Sequence, residues 1–198
     1  MKTTILTIAT LLATVFGISN STLAAAGKPG KVNAILTGSS TINKIEVHGN
    51  VELYLSDGTA DNVKIYSNNY KGSALAPDQN GVLHISSYQT QKLVVWVTVS
   101  NLSNLSVYDN SDVKSFGLLS AIELNVKLYN NASAQLNLDV FQAYINLNDN
   151  AKANLSGNVN EAELDYARSA FADTSNLVSA HLVKTVGFER IAGNDLQD

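Results

Sequence analysis

Leu105-Ser106-Val107-Tyr108-Asp109-Asn110-Ser111-Asp112-Val113, Val126-Lys127-Leu128-Tyr129-Asn130-Asn131-Ala132-Ser133-Ala134 and Ile145-Asn146-Leu147-Asn148-Asp149-Asn150-Ala151-Lys152-Ala153 can be written one beneath another. Each segment has two alternating apolar residues, an Asp/Asn-Asn corner, and then small residues. The corner asparagines Asn110, Asn131 and Asn150 recur at a spacing of about 20 residues. Weaker copies run from Leu164 to Phe171 and from Leu182 to Glu189. Ile122, Leu124, Val126 and Leu128 alternate up to a corner, and Ala132, Ala134, Leu136 and Leu138 alternate after it, with alanine where room is short. Period-2 alternation marks strands, and self-similarity at a fixed period marks stacked repeats. Asparagine tolerates the left-handed backbone of a tight corner, and stacked asparagines hydrogen-bond from repeat to repeat. The pattern predicts an all-β, parallel β-solenoid with rungs of about 20 residues. A β-sandwich with evenly spaced strands is the alternative. The Leu-x-x-Leu-x-Leu-x-x-Asn frame of leucine-rich repeats is absent.

Upstream, Ile45, Val47, Val51, Leu53 and Leu55 alternate around Gly49-Asn50, and Asp57-Gly58 and Ala76 to Gly81 read as turns. Leu93 to Val99 is a β-branched run of the kind that is buried on both faces. No helical period occurs. Residues 1–26 read as a signal peptide: Lys2, an apolar stretch from Ile5 to Ile18, then Ala24-Ala25-Ala26. The apolar stretch is too short for a transmembrane segment, and no later segment is longer. Residues 27–40 read as a flexible leader, and 41–198 as a single domain ended by a polar cap with Arg190, Asn194 and Asp195.

The 198-residue chain is 45% hydrophobic and only 15% charged, with a formal net charge of -4. Loss of Lys2 with the signal leaves 12 basic against 17 acidic residues. An acidic exported chain is a poor nucleic-acid partner. With no cysteine, disulfides, zinc–cysteine sites and thiol catalysis are excluded. No cofactor or metal motif occurs, and His48, His84 and His181 read as separate, exposed strand residues.

Two sets of side chains are candidates for chemistry. Asp109 and Asp149 share a corner column, two rungs and about 10 Å apart at the backbone, a spacing that suits an inverting carboxylate pair acting on a polysaccharide. Corner-shaping is the simpler role for these acids, and only Lys114 and Lys152 lie near them as bases. Tyr108 and Tyr129 precede successive corners, out of phase with the inward Val107 and Leu128, so they should stack on the outer face. Tyr166 is a third candidate for that column. Rings beside Asn and Asp side chains would make a sugar-binding strip, or a tyrosine ladder that steadies the sheet.

These residues resemble the bacterial family described as putative auto-transporter adhesin, head GIN domain, over Ile42 to Gly193. The likeness lies in Ile45-Glu46-Val47-His48-Gly49-Asn50-Val51-Glu52-Leu53-Tyr54-Leu55, in Gly81 to Ile85, in Val97 to Val107, and in the corners. Where the family usually has Gly-Ser-Gly, this chain has Asn110-Ser111-Asp112, Asn131-Ala132-Ser133 and Asn150-Ala151-Lys152. The resemblance implies an exported, right-handed β-helix-like fold and no catalytic residues. The function expected is a non-catalytic, adhesin-like module that meets a glycan or another cell-surface component, in the periplasm, on the outer surface or secreted. A polysaccharide-acting enzyme and a repeat that self-assembles into a homo-oligomer are the other classes.

Overall fold

The alternating residues become strands because every second side chain of each segment can enter one apolar interior. The computed structural model of the protein describes residues 34–36, 41–67, 74–77 and 80–187. Its strands are β1 (Ala34–Leu36), β2 (Lys44–Gly49), β3 (Val51–Asp57), β4 (Asn62–Ile65), β5 (Ala74–Pro77), β6 (Val82–Ser87), β7 (Leu93–Val99), β8 (Asn104–Val107), β9 (Asp112–Ser115), β10 (Leu119–Leu128), β11 (Ser133–Leu147), β12 (Lys152–Tyr166) and β13 (Phe171–Val186). The signal peptide and the polar end segment with Arg190, Asn194 and Asp195 lie outside the described residues. Within the expected leader, residues 34–36 form β1, antiparallel to β4.

All thirteen strands belong to one mixed sheet that curls into half a barrel, with no helix among the described residues. One continuous sheet is not the pair of separate sheets of a sandwich. From residue 104 onward the pairing is parallel and in chain order: Leu105 pairs with Val126, Val126 with Ile145, Ile145 with Leu164, and Leu164 with Lys184. Each of these steps repeats the period read from the corners.

The long strands each carry two alternations that are out of phase. In β11, Ala134, Leu136, Leu138 and Val140 are buried, and then Ala143, Ile145 and Leu147. Between them the exposed Phe141 and the half-buried Gln142 stand outside in succession. Both series belong to one core cluster, so the chain must bend at that slip. The same slip corrects the alternation read through Ile122: Leu124, Val126 and Leu128 are buried, but Ile122 is 83% exposed at the bend of β10. Each fully buried Leu, Ile or Val contributes roughly 1.5–3 kcal/mol, so the inner columns carry most of the stability.

In the first half the strands do not pair in chain order. β2 lies between β6 and β8, and β3 between β7 and β9. The rung at 44–57 is therefore inserted between the rungs at 82–99 and 104–115, out of chain order. Antiparallel strands then cover the outer rung, β4 on β7 and β5 on β6. Gly49 makes this close stacking feasible. Its φ is +88°, and a Cβ there would stand 2.2 Å from the Ser87 carbonyl oxygen. Leu93 to Val99 is also corrected: Leu93, Val95, Val97 and Val99 face the core, while Val94, Trp96 and Thr98 lie half-buried on the outer face.

Candidate functional site

The corners position the outer side chains. Among the described residues the non-glycine ones with left-handed backbone are Asp109 (φ 63°), Asn130 (φ 59°) and Asp149 (φ 56°), in the same column as Gly49. The left-handed position thus falls one residue before Asn110, Asn131 and Asn150, the asparagines to which the sequence pattern assigns it. It suits Asp and Asn because their short side chains reach local donors. Each side chain accepts a hydrogen bond from a main-chain N–H of the neighbouring rung. Gly49 N–H donates to Asp109 Oδ2 (2.8 Å), Asp109 N–H to Asn130 Oδ1 (3.3 Å), and Asn130 N–H to Asp149 Oδ2 (2.9 Å). The asparagines one place on also stack, with Asn131 Nδ2 donating to Asn110 Oδ1 at 3.2 Å. The carboxylates of Asp109 and Asp149 therefore hold the corners, each occupied by a main-chain donor.

Immediately before this column the rings come together. Tyr108 and Tyr129 are stacked with centroids 4.7 Å apart and planes 3° from parallel. His48 extends the stack on the other side of Tyr108, at 4.2 Å and 4°. Both spacings are close to the distance between neighbouring strands. Stacking therefore covers both faces of Tyr108 and one face each of His48 and Tyr129. Tyr166 does not join them: it pairs with Leu147 in the inner column. The next places in the ring column are Asn148 and Ala167, as their main-chain bonds to Leu128 and Leu147 show. This corrects the reading of His48 as a separate, exposed strand residue: it is half-buried in the stack, standing before Gly49-Asn50 as Tyr108 stands before Asp109-Asn110.

Charged groups flank the ladder. Glu46 binds Lys44 at 2.6 Å and His84 Nδ1 at 3.0 Å, and the Lys44 hydrogen bond holds its carboxyl below the ordinary value. Burial, and next the neighbouring Tyr129, push the Tyr108 hydroxyl above its ordinary value.

A second aromatic group lies over β7, β3 and β9. Trp96 is 5.6 Å from Tyr54 and 5.0 Å from Phe116 between ring centroids, and its Nε1–H donates to Ser56 Oγ at 3.0 Å. Beside it Lys114 binds Glu52 at 2.8 Å, Tyr54 donates to Glu52 at 2.9 Å, and Lys92 pairs with Asp112. Burial opposes ionisation of Glu52 and Asp112. Hydrogen bonds from Lys114 and Tyr54 to the first, and from Lys92 and Ser133 to the second, outweigh it and hold both carboxyls low. The signal available in the sequence was phase: Trp96 is one step off Val95 and Val97. Among the described residues no three His, Asp or Glu side chains converge on a metal-sized site. No helix there is long and apolar enough to cross a membrane.

The sequence profile of the family described as "Putative auto-transporter adhesin, head GIN domain" matches residues 41–186. The chain belongs to this family. The head GIN domain fold is shared with the crystal structure of a putative adhesin from Bacteroides fragilis NCTC 9343, at TM-score 0.64, 19% identity, and coverage of 80% of this chain and 78% of that one. A putative adhesin from Parabacteroides merdae ATCC 43184 gives TM-score 0.62 at 13% identity, covering 77% and 76%. A putative lipid binding protein from Parabacteroides distasonis ATCC 8503 gives 0.55 at 12% identity, covering 77% of each chain. A comparison with curated proteins finds no match. An adhesin-like head GIN domain is an exported or surface protein, and its family points to attachment to cell-surface components.

Proposed function

We propose that this head GIN domain is an exported, non-catalytic binding module that meets a glycan or related cell-surface component along the His48–Tyr108–Tyr129 ladder. The observation that carries the reading is the ladder itself: three parallel rings at 4.2 and 4.7 Å on an outer face beside ionic groups. Because stacking covers both faces of Tyr108 and one face each of His48 and Tyr129, the ligand would lie across the ring edges and hydrogen-bond to the Tyr108 and Tyr129 hydroxyls. The side chains of Lys44, His84 and Asn148 border this path. A flat contact of this kind suits an extended polymer better than a small molecule, which takes a concave site. The binding reading is also supported over the enzyme class because Asp109 and Asp149 each accept from a neighbouring main-chain N–H. We read the stacked rungs of residues 104–186 as coils of a right-handed parallel β-helix, the hand that parallel crossovers take.

A glycan array probed with the purified protein and with Tyr129→Ala tests the function. The wild type should bind at least one polysaccharide class, and the variant should lose about tenfold or more in affinity, ~1.4 kcal/mol. Binding that survives Tyr129→Ala unchanged would remove the ladder from the contact surface. Release of new reducing ends from a bound polysaccharide would instead restore the enzyme class.

A further inference from the structure

Among the described residues β13 pairs only with β12, so its outer edge carries unmatched N–H and C=O groups along 16 residues. Such an edge invites pairing with another chain. The inner column shows how this one is managed. Ala153, Val159, Ala162 and Leu164 of β12 are buried, and their partners in β13 are Ala172, Ser179, Leu182 and Lys184. Opposite Leu155 the register slips by one, and Thr174 and Ser175 together face that single residue. Lys184 thus stands where the rung above has Leu164, and its Nζ donates to Thr174 Oγ1 at 2.7 Å. Lys184 and Thr174 belong to the two opposite arms of the last rung, so this bond spans the open end of the core.

The same bond fixes what could stack there. Rotation about a two-fold axis parallel to the strands lays each arm of β13 antiparallel on the other arm of a second copy. Residues already facing each other across the core, 174 and 184, then become neighbours between copies. Leu182 and Val186 would continue the apolar column, and no edge would remain at this end, because an isologous contact closes on itself. The obstacle is that both Lys184 ammonium groups would enter the joined core. An unpaired ammonium cannot be buried without heavy cost. The carboxylate that Lys184 reaches electrostatically, Asp173, lies one step out of phase with the inner Ala172, on the outer face.

We propose that the β13 end is a guarded self-association surface: it fits a second copy of this chain by two-fold antiparallel pairing, and Lys184 keeps the protein monomeric. Terminal repeats of stacked folds need a polar outer face for the same reason. The inference is independent of the ladder, which lies on another part of the surface.

Size-exclusion chromatography with light scattering over two decades of concentration reads the mass directly. Wild type and Lys184→Arg should remain monomers, whereas Lys184→Leu should reach twice the monomer mass, with the β13 amides newly protected from hydrogen exchange. Lys184→Met repeats the test should the leucine variant lose its far-ultraviolet β signal. A folded, neutral 184 variant that stays monomeric overturns the proposal, as does a wild type that already dimerises over that range. A ladder of larger species from Lys184→Leu overturns the two-fold arrangement.

Discussion

The rung at 44–57 turns with the same corner as the rungs that begin at 104, with Gly49 where they have Asp109, Asn130 and Asp149, yet the regions at 44–99 and 104–186 are assembled differently. In the later region each rung lies on the one before it in sequence. In the earlier region the first rung is held between two that follow it, and antiparallel strands close the end. The two ends meet the edge problem in different ways: one is covered by β1, β4 and β5, the other carries Lys184 in its core column. Local chemistry thus sets the shape of a rung, whereas the connections set its place in the stack. The ring ladder depends on both regions, since His48 comes from the inserted rung and Tyr108 and Tyr129 from the sequential ones.

Core truncation should give the largest effect and can break the comparison outright. Leu53→Ala in the inserted rung and Leu136→Ala in a sequential one are both fully enclosed, and each should cost about 2–5 kcal/mol. If the regions form one cooperative unit, each variant lowers a single calorimetric transition. Two separated transitions would show that the regions fold independently. Gly49→Ala comes next, because it strains a left-handed residue and drives a Cβ to 2.2 Å from the Ser87 carbonyl oxygen. The strained backbone alone should cost about 1–3 kcal/mol, with hydrogen exchange rising first in β2 and β6. An equal loss of protection in β12 and β13 would deny that Gly49 serves the insertion.

Much of the later region was legible because its signals are local. The corners recur at a near-constant spacing, and Tyr108 and Tyr129 lie out of phase with inward neighbours, so their meeting on the outer face followed from counting. The slip at Ile122 was not legible, since a bend that puts two successive side chains outside looks like continued alternation until pairing is known. The inserted rung was hidden for a stronger reason. Ile45 pairs with both Leu83 and Leu105, contacts that no short period encodes. His48 was missed with it, because its copy of the repeat stands far ahead of Tyr108 in the chain. At the corners the shaping role of Asp109 and Asp149 was legible, but not that they and Asn130, rather than the asparagines that follow them, hold the left-handed backbone.

Acid should act more gently, and first where the two regions meet. Glu46, Glu52 and Asp112 have folded pKa values below their ordinary ones, so more protons are bound when the chain unfolds. Their contribution is complete above the ordinary carboxylate range and is lost as pH falls through the lowered folded values. All three lie on the rungs at 44–57 and 104–115. Lowering the pH below about 4, the ordinary carboxylate range, should therefore speed amide exchange in β2, β3 and β9 before β12. Asp112→Asn should flatten that response, and a uniform response along the stack would contradict it. Tyr129→Ala should have the smallest effect on folding, about 0.5–1.5 kcal/mol for one stacked pair. A Tm shift as large as that of Leu136→Ala would make the ring a core element.

The most direct test sets the two aromatic surfaces against each other. Isothermal titration of the best oligosaccharide from the array would compare wild type, Tyr129→Ala and Trp96→Ala, all checked for native β structure. Binding should fall about tenfold or more with Tyr129→Ala, ~1.4 kcal/mol, and stay at the wild-type level with Trp96→Ala. The reverse pattern would contradict the assignment and move the ligand to the Tyr54–Trp96–Phe116 face.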